Sequence, residues 1–329
     1  MTVRPSRFAA VILGGLALVS AGGAATRLVT PGRSLTQAGE VVPLAMTGRA
    51  IAFGVGVSPT ECRVKLWSIT KGAVTTFGLP KTPSCTIETS TGSGIFALSL
   101  ASTRVVWLAY TGGNIREWSL LTATPASAKP QRLRFTARNV DGPAPIVLGP
   151  GTPQGIPYAV NREIVYLGDA GARIFKTIAP DAVRLVASGP GPNGIRVVAL
   201  TAAGSILALD MKGNPVADDI TVDGAVTALR LVAAGVVYQV GSLVHVVGPG
   251  GETLVTLPAG ATMVGAAAGR ILYQRAGDLG ALTISSGSDV LLVDGAPATP
   301  VAGQLGAAGL AWARGKTVNW RAGPLPAAY

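Results

Sequence analysis

Short apolar stretches follow one another along the chain, each cut off by Gly, Pro, Asn or Asp. Many alternate apolar and polar positions, the period of a strand with one buried face. One signature recurs: two aliphatic residues, then an aromatic. It reads Ile51-Ala52-Phe53, Val105-Val106-Trp107, Ile164-Val165-Tyr166, Val236-Val237-Tyr238, Ile271-Leu272-Tyr273 and Leu310-Ala311-Trp312, with a degenerate copy at Val197-Val198-Ala199. The steps are 54, 59, 33, 39, 35 and 39 residues. A repeat of that length built from short strands predicts a β-propeller, whose blades are sheets standing radially about one axis. The expected class is all-β, with seven four-stranded antiparallel blades. Six is the alternative, because the second and third units are long and the unit around Val197 is weak.

Two units show the scheme in detail. Around residue 236 the predicted strands are Ala225–Leu231, Gly235–Val240, Leu243–Val247 and Thr253–Leu257, with a turn at Gly248-Pro249-Gly250-Gly251. Around residue 271 they are Thr262–Ala266, Arg270–Arg275, Leu279–Ser285 and Val290–Val293. Val236-Val237-Tyr238-Gln239 aligns with Ile271-Leu272-Tyr273-Gln274 at an offset of 35. Asp-Gly pairs at Asp141, Asp223 and Asp294 close three units. They read as tight turns, since Gly adopts positive φ freely, and no D-x-[DN]-x-[DN]-G run makes them calcium ligands. The last unit, Gly309–Arg314 and Thr317–Arg321, lacks an outer strand. Residues near Arg27–Gln37 precede the first blade at Val41, and pairing them with the last blade would close the ring and remove its exposed edges.

A second echo matches Val64-Lys65-Leu66-Trp67-Ser68-Ile69 to Ile115-Arg116-Glu117-Trp118-Ser119-Leu120 at an offset of 51. Both segments resemble the third strand of WD-repeat blades. Ser68 and Ser119 stand where that family places Asp, and its Gly-His pair is missing, so its hydrogen-bond network does not carry over. Ile206-Leu207-Ala208-Leu209-Asp210 resembles the Ala-Leu-Asp strand of quinoprotein-type propellers. The mature chain is therefore similar in architecture to WD-like and TolB-like propellers, which implies a binding or scaffold role.

Only 13% of residues are charged, while Gly 44 and Pro 23 supply frequent turns. The N-terminus carries Arg4 and Arg7, an apolar stretch from Phe8 to Val19, then Ser20-Ala21-Gly22-Gly23-Ala24-Ala25. These are the three parts of a secretory signal, with cleavage expected after Ala21 or Ala25. An uncleaved anchor is the other reading, and no later segment has the pattern of a membrane helix. Residues 1–25 are thus expected to be a signal peptide, and 26–329 one propeller domain at the cell envelope or outside the cell. Removing Arg4 and Arg7 takes the net charge from +11 to +9. That charge favours anionic envelope polymers or polysaccharides, or a protein, over nucleic acid. Outside the cytoplasm, Cys62 and Cys85 are expected to form a disulfide.

No constellation of residues announces catalysis. The one histidine, His245, alternates with Leu243 and Val247 and reads as a packed or edge residue. Gly189-Pro190-Gly191-Pro192-Asn193-Gly194 fits G-x-G-x-x-G, but its prolines remove amide donors and a strand, Ile195–Leu200, follows where a phosphate loop needs a helix. Asp218, Asp219 and Asp223 lie close in sequence, and Glu117 and Glu163 hold matching places; they read as solvated turn and edge residues. Neither cofactor nor metal is expected. The candidate binding residues are Lys129, Arg132, Arg134 and Arg138. Strict alternation would put the three arginines on one side of a strand and Leu133 and Phe135 on the other. The expectation is a monomeric, non-catalytic binding or scaffold module. The alternatives are a carbohydrate-active lyase or glycosidase using carboxylates at the funnel, and an envelope assembly factor similar to quinoprotein-like propellers.

Overall fold

The computed structural model describes residues 18–19, 25–26, 30–58, 61–77, 92–140, 142–267, 269–295, 301–306 and 308–323. They form seven antiparallel sheets of four consecutive strands or their equivalent, a seven-bladed propeller. The innermost strands, in order, are Val41–Thr47, Ser93–Ala101, Ile146–Leu148, Val183–Ser188, Val226–Val232, Thr262–Ala267 and Val301–Gly306. Each touches the next, and the last touches the first, so the ring is complete. Among the described residues no helix is long and apolar enough to cross a membrane.

Closure comes from the start of the chain. Arg33–Thr36 pairs antiparallel with Thr317–Ala322 and supplies the outer strand of the seventh blade. Further upstream, Leu18–Val19 and Ala25–Thr26 pair in parallel with the outer strands of the fifth and sixth blades. The chain thus laces the outer edges of three successive blades, where unpaired N–H and C=O groups would otherwise face solvent.

Seven hydrophobic clusters fill the seven gaps between blades. The signature explains how. Phe53, Trp107, Ala199, Tyr238, Tyr273 and Trp312 all lie on second strands and all point into the gap before their own blade. Each is buried, and Phe53, Trp107 and Ala199 are fully so. Burying one large aromatic stabilises by about 2–3 kcal/mol, so where an aromatic fills it, this one position contributes much of a blade's cohesion with its neighbour. The third blade is the exception. Its second strand is Gly155–Val160, and the residue facing the preceding gap is Tyr158. Ile164-Val165-Tyr166 sits one strand further out, and Tyr166 faces the following gap. The uneven steps of 59 and 33 residues arise from this displacement.

The offset-51 echo marks third strands in both blades without marking equivalent places. Trp67 lies opposite Ile51 and fills the gap to the seventh blade, whereas Trp118 lies opposite Tyr110 and fills the gap to the third. The match is slipped along the strand by an odd number of residues, which exchanges faces. Asp210 of the Ala-Leu-Asp segment closes a turn, its Oδ1 accepting from the amides of Lys212 (2.7 Å) and Asn214 (2.9 Å).

Glycine sets the spacing at two inner turns. Gly149-Pro150-Gly151 and Gly189-Pro190-Gly191 follow the inner strands of the third and fourth blades. A Cβ on Gly149 would lie 2.1 Å from the Val186 carbonyl oxygen, and one on Gly189 1.9 Å from that of Leu231. Both oxygens belong to the inner strand of the next blade, so only glycine permits that approach.

Candidate functional site: the central channel

The inner strands enclose a chamber of about 400 Å³. Its walls are mostly aliphatic, among them Val42, Leu44, Val147, Leu185 and Val264 from four different blades. Polar atoms come from Thr227, Gln274, Gln304 and Arg230. A smaller space of about 160 Å³ adjoins it, and Leu148, Pro150, Arg230 and Gln304 line both. Arg230 therefore stands at the waist of the channel.

The sequence Ala228-Leu229-Arg230-Leu231-Val232 explains its placement. Leu229 and Leu231 point toward the fourth blade, and Ala228 and Val232 toward the sixth. Arg230 shares the parity of the latter pair. Its guanidinium donates from Nη1 to the Leu229 carbonyl (2.8 Å) and from Nη2 to the Val264 carbonyl (2.6 Å) on the sixth blade. Among the described residues no carboxylate pairs with it. The residue is half-buried at the channel wall. Desolvation lowers its pKa to about 10, so it remains cationic at neutral pH. Sequence reasoning passed over Arg230. Its signal is a lone arginine inside an aliphatic inner strand.

The same gap is stitched a second time. Buried Gln239 accepts from the Met263 amide (2.7 Å) and donates to the carbonyls of Ala261 (3.0 Å) and Gly241 (2.7 Å). In the aligned position of the next blade, Gln274 lines the chamber instead.

The four predicted basic residues lie on one strand, Ser127–Arg138, the outer edge of the second blade. They do not form a single stripe. The register slips between Leu120 and Leu121, which face Arg134 and Arg132, so Leu133 is an inserted bulge residue. Arg132 shares a face with Phe135, its guanidinium 5.1 Å from that ring. Arg134 and Arg138 turn to the other face. Arg134 bonds Glu163 Oε1 at 2.9 Å and lies 5.9 Å from the Tyr158 ring. Arg138 covers Trp118 at 4.9 Å and donates to the Pro143 carbonyl. Leu133 packs inward, while Phe135 is 46% exposed, contrary to the alternation expected for it. Lys129 and Arg132 are exposed.

The carboxylates are engaged elsewhere or scattered, and Glu117 is exposed on the third strand of the second blade, Arg116–Thr124. Glu163 is held between Arg134 and Lys176. Its pKa lies below the usual range, chiefly through the hydrogen bond from Lys176, with Arg134 adding to it. Asp289 accepts from the Tyr273 hydroxyl at 2.7 Å. Burial and that bond raise the tyrosine pKa. Asp218, Asp219 and Asp223 are exposed. No group of three His, Cys, Asp or Glu side chains comes together among the described residues.

His245 stacks on Tyr238 with ring centroids 4.6 Å apart, and its Nδ1 lies 2.7 Å from Glu252 Oε1. Burial, with Glu252 nearby, pushes Tyr238 up to about 12. The G-x-G-x-x-G segment is a turn whose Pro192–Gly194 forms one short 3-10 step before the strand Val197–Thr201. Cys62 is fully buried between the first two blades. Cys85 and Asp141 lie outside the described residues.

No family model matches the chain. No curated protein matches it either. Among solved structures it is similar to a chain of the crystal structure of the mitotic checkpoint complex, with 16% identity and a TM-score of 0.54, covering 96% of this chain and 98% of that one. At that identity the likeness extends to the fold, a WD-like β-propeller.

Proposed function

We propose that this propeller is a non-catalytic binding module that works outside the cytoplasm and holds a protein or an anionic envelope polymer. The observation that carries this reading is the chamber wall. Among the described residues its lining includes no aspartate, glutamate, histidine, serine or cysteine. A glycosidase needs two carboxylates a fixed distance apart across a sugar, and this concavity offers none. The structurally similar chain belongs to a complex, which supports a protein partner here. Arg4, Arg7 and the apolar stretch after them support export, and the charge of the mature chain supports an anionic contact.

Of the four basic candidates, Lys129 and Arg132 are the contact residues in this reading, beside exposed Phe135. Arg134 and Arg138 are held by the third blade's Glu163 and by Trp118 and Pro143. Affinity capture from envelope extract tests it. The wild-type mature chain retains a defined partner, and the double variant Lys129→Ala/Arg132→Ala loses it in a salt-dependent way. Equal capture by both removes these residues from the interface; no partner at any salt concentration removes the binding role. Mass analysis of exported protein before and after reduction tests the rest. Cleavage after Ala21 or Ala25, which would remove the Leu18–Val19 pairing from the edge of the fifth blade, and a gain of two hydrogens on reduction are expected, the latter from the Cys62–Cys85 bond.

A further inference from the structure

We infer that the central chamber is a binding site for a small carboxylate with a short aliphatic tail, held by Arg230. The inference is independent of any macromolecular partner on the outer rim.

Three observations converge. The chamber has the volume of a small-ligand pocket, about 400 Å³ against roughly 300–1,000 Å³ for such sites. Its wall is aliphatic, contributed by blades that a tail would touch on several sides. Among the described residues it contains one full positive charge without a protein counter-ion, which is costly to keep in an apolar space and is normally offset by a partner. The guanidinium is already fixed by the Leu229 and Val264 carbonyls. Two of its five N–H donors are used there, and three remain for an incoming anion. A fixed guanidinium loses little freedom on binding and matches a carboxylate through paired N–H···O bonds.

The charge selects the anion. One guanidinium balances one carboxylate. A phosphate dianion would keep an unbalanced charge among Val42, Leu185 and Val264, and Gln274 and Gln304 bring only neutral amides. Thr227 at the chamber wall is exposed to solvent, which makes it the place from which a substitution can fill the space.

The test is calorimetric titration of the folded chain with butanoate, hexanoate and octanoate, with 1-hexanol and inorganic phosphate as controls. At least one carboxylate of the series binds saturably at one site, and hexanol and phosphate bind at least tenfold more weakly. Arg230→Gln lowers carboxylate affinity at least tenfold, and Arg230→Lys, which keeps charge without the fork, falls between. Should Arg230→Gln fail to fold, Thr227→Trp, which leaves Arg230 in place and occupies the chamber, abolishes binding. The inference is overturned if no carboxylate binds the wild type, if Arg230→Gln binds as the wild type does, if Thr227→Trp leaves binding unchanged, or if phosphate competes on equal terms. Because capture of a rim partner is read with Lys129 and Arg132 variants, failure here leaves that measurement standing, and the reverse holds too.

Discussion

The gap between the fifth and sixth blades and the gap between the second and third are filled with the same kind of apolar packing, yet they are stitched at opposite ends. The former is joined at the hub: buried Gln239 bonds Ala261 and Met263, and the half-buried guanidinium of Arg230 bonds Val264. The latter is joined at the rim by charge, through Arg134, Glu163 and Lys176. A buried bond cannot be replaced by water when it is lost, so breaking it leaves an unsatisfied group. A rim ion pair exchanges readily with solvent and salt. The ring is therefore held in register from inside, and its periphery can vary.

Substitutions rank this difference. Gly189→Ala should do the most damage, because its Cβ meets the Leu231 carbonyl oxygen at 1.9 Å with backbone on both sides. We expect a loss of about 3 kcal/mol in denaturant unfolding; a loss below about 1 kcal/mol would show that the hub yields easily. Gln239→Leu comes next, at about 2 kcal/mol, by stranding the Met263 amide and the Ala261 carbonyl. Hydrogen exchange should report opening of the inner strand Thr262–Ala267 before the outer strands; uniform loss of protection would contradict the hub stitch.

At the rim, Arg134→Met should cost under about 1 kcal/mol, and less in high salt. A cost equal to that of Gln239→Leu would erase the distinction between hub and rim. The smallest effect is a pH dependence. The folded pKa of Glu163 is depressed, so its contribution is present above its unfolded value of about 4.3 and fades as pH falls through the lower folded value. Glu163→Gln should flatten that acid limb slightly; an unchanged acid limb would show that the Lys176 and Arg134 contacts add nothing.

Much of the hub was readable from sequence, because burial enforces a pattern. Gly235–Val240, Arg270–Arg275 and Gly309–Arg314 begin and end where the sequence pattern places them. The seven-blade count followed from the signature. The third blade escaped because Pro157 breaks its aliphatic pair in Ile156-Pro157-Tyr158, while the next strand, Ile164-Val165-Tyr166, presents the same pattern to the opposite gap. The rim was harder to read. Alternation gave Arg132, Arg134 and Arg138 one face, but the bulge at Leu133 divides them, and a bulge leaves no mark in the spacing of residue types. Arg230 was overlooked for a related reason. Sequence shows a cation within an aliphatic strand but not that six other strands surround it.

The latch between Arg33–Thr36 and Thr317–Ala322 carries a consequence for assembly. Ser34 Oγ lies 2.8 Å from Asn319 Oδ1 across 285 residues of chain. A growing polypeptide makes one half of this clasp early and the other nearly last, so for most of its synthesis the molecule is an open crescent with an unmated strand at one tip. Shortening the chain before residue 317 would leave every other blade's sequence intact and still deprive the circle of its fastening.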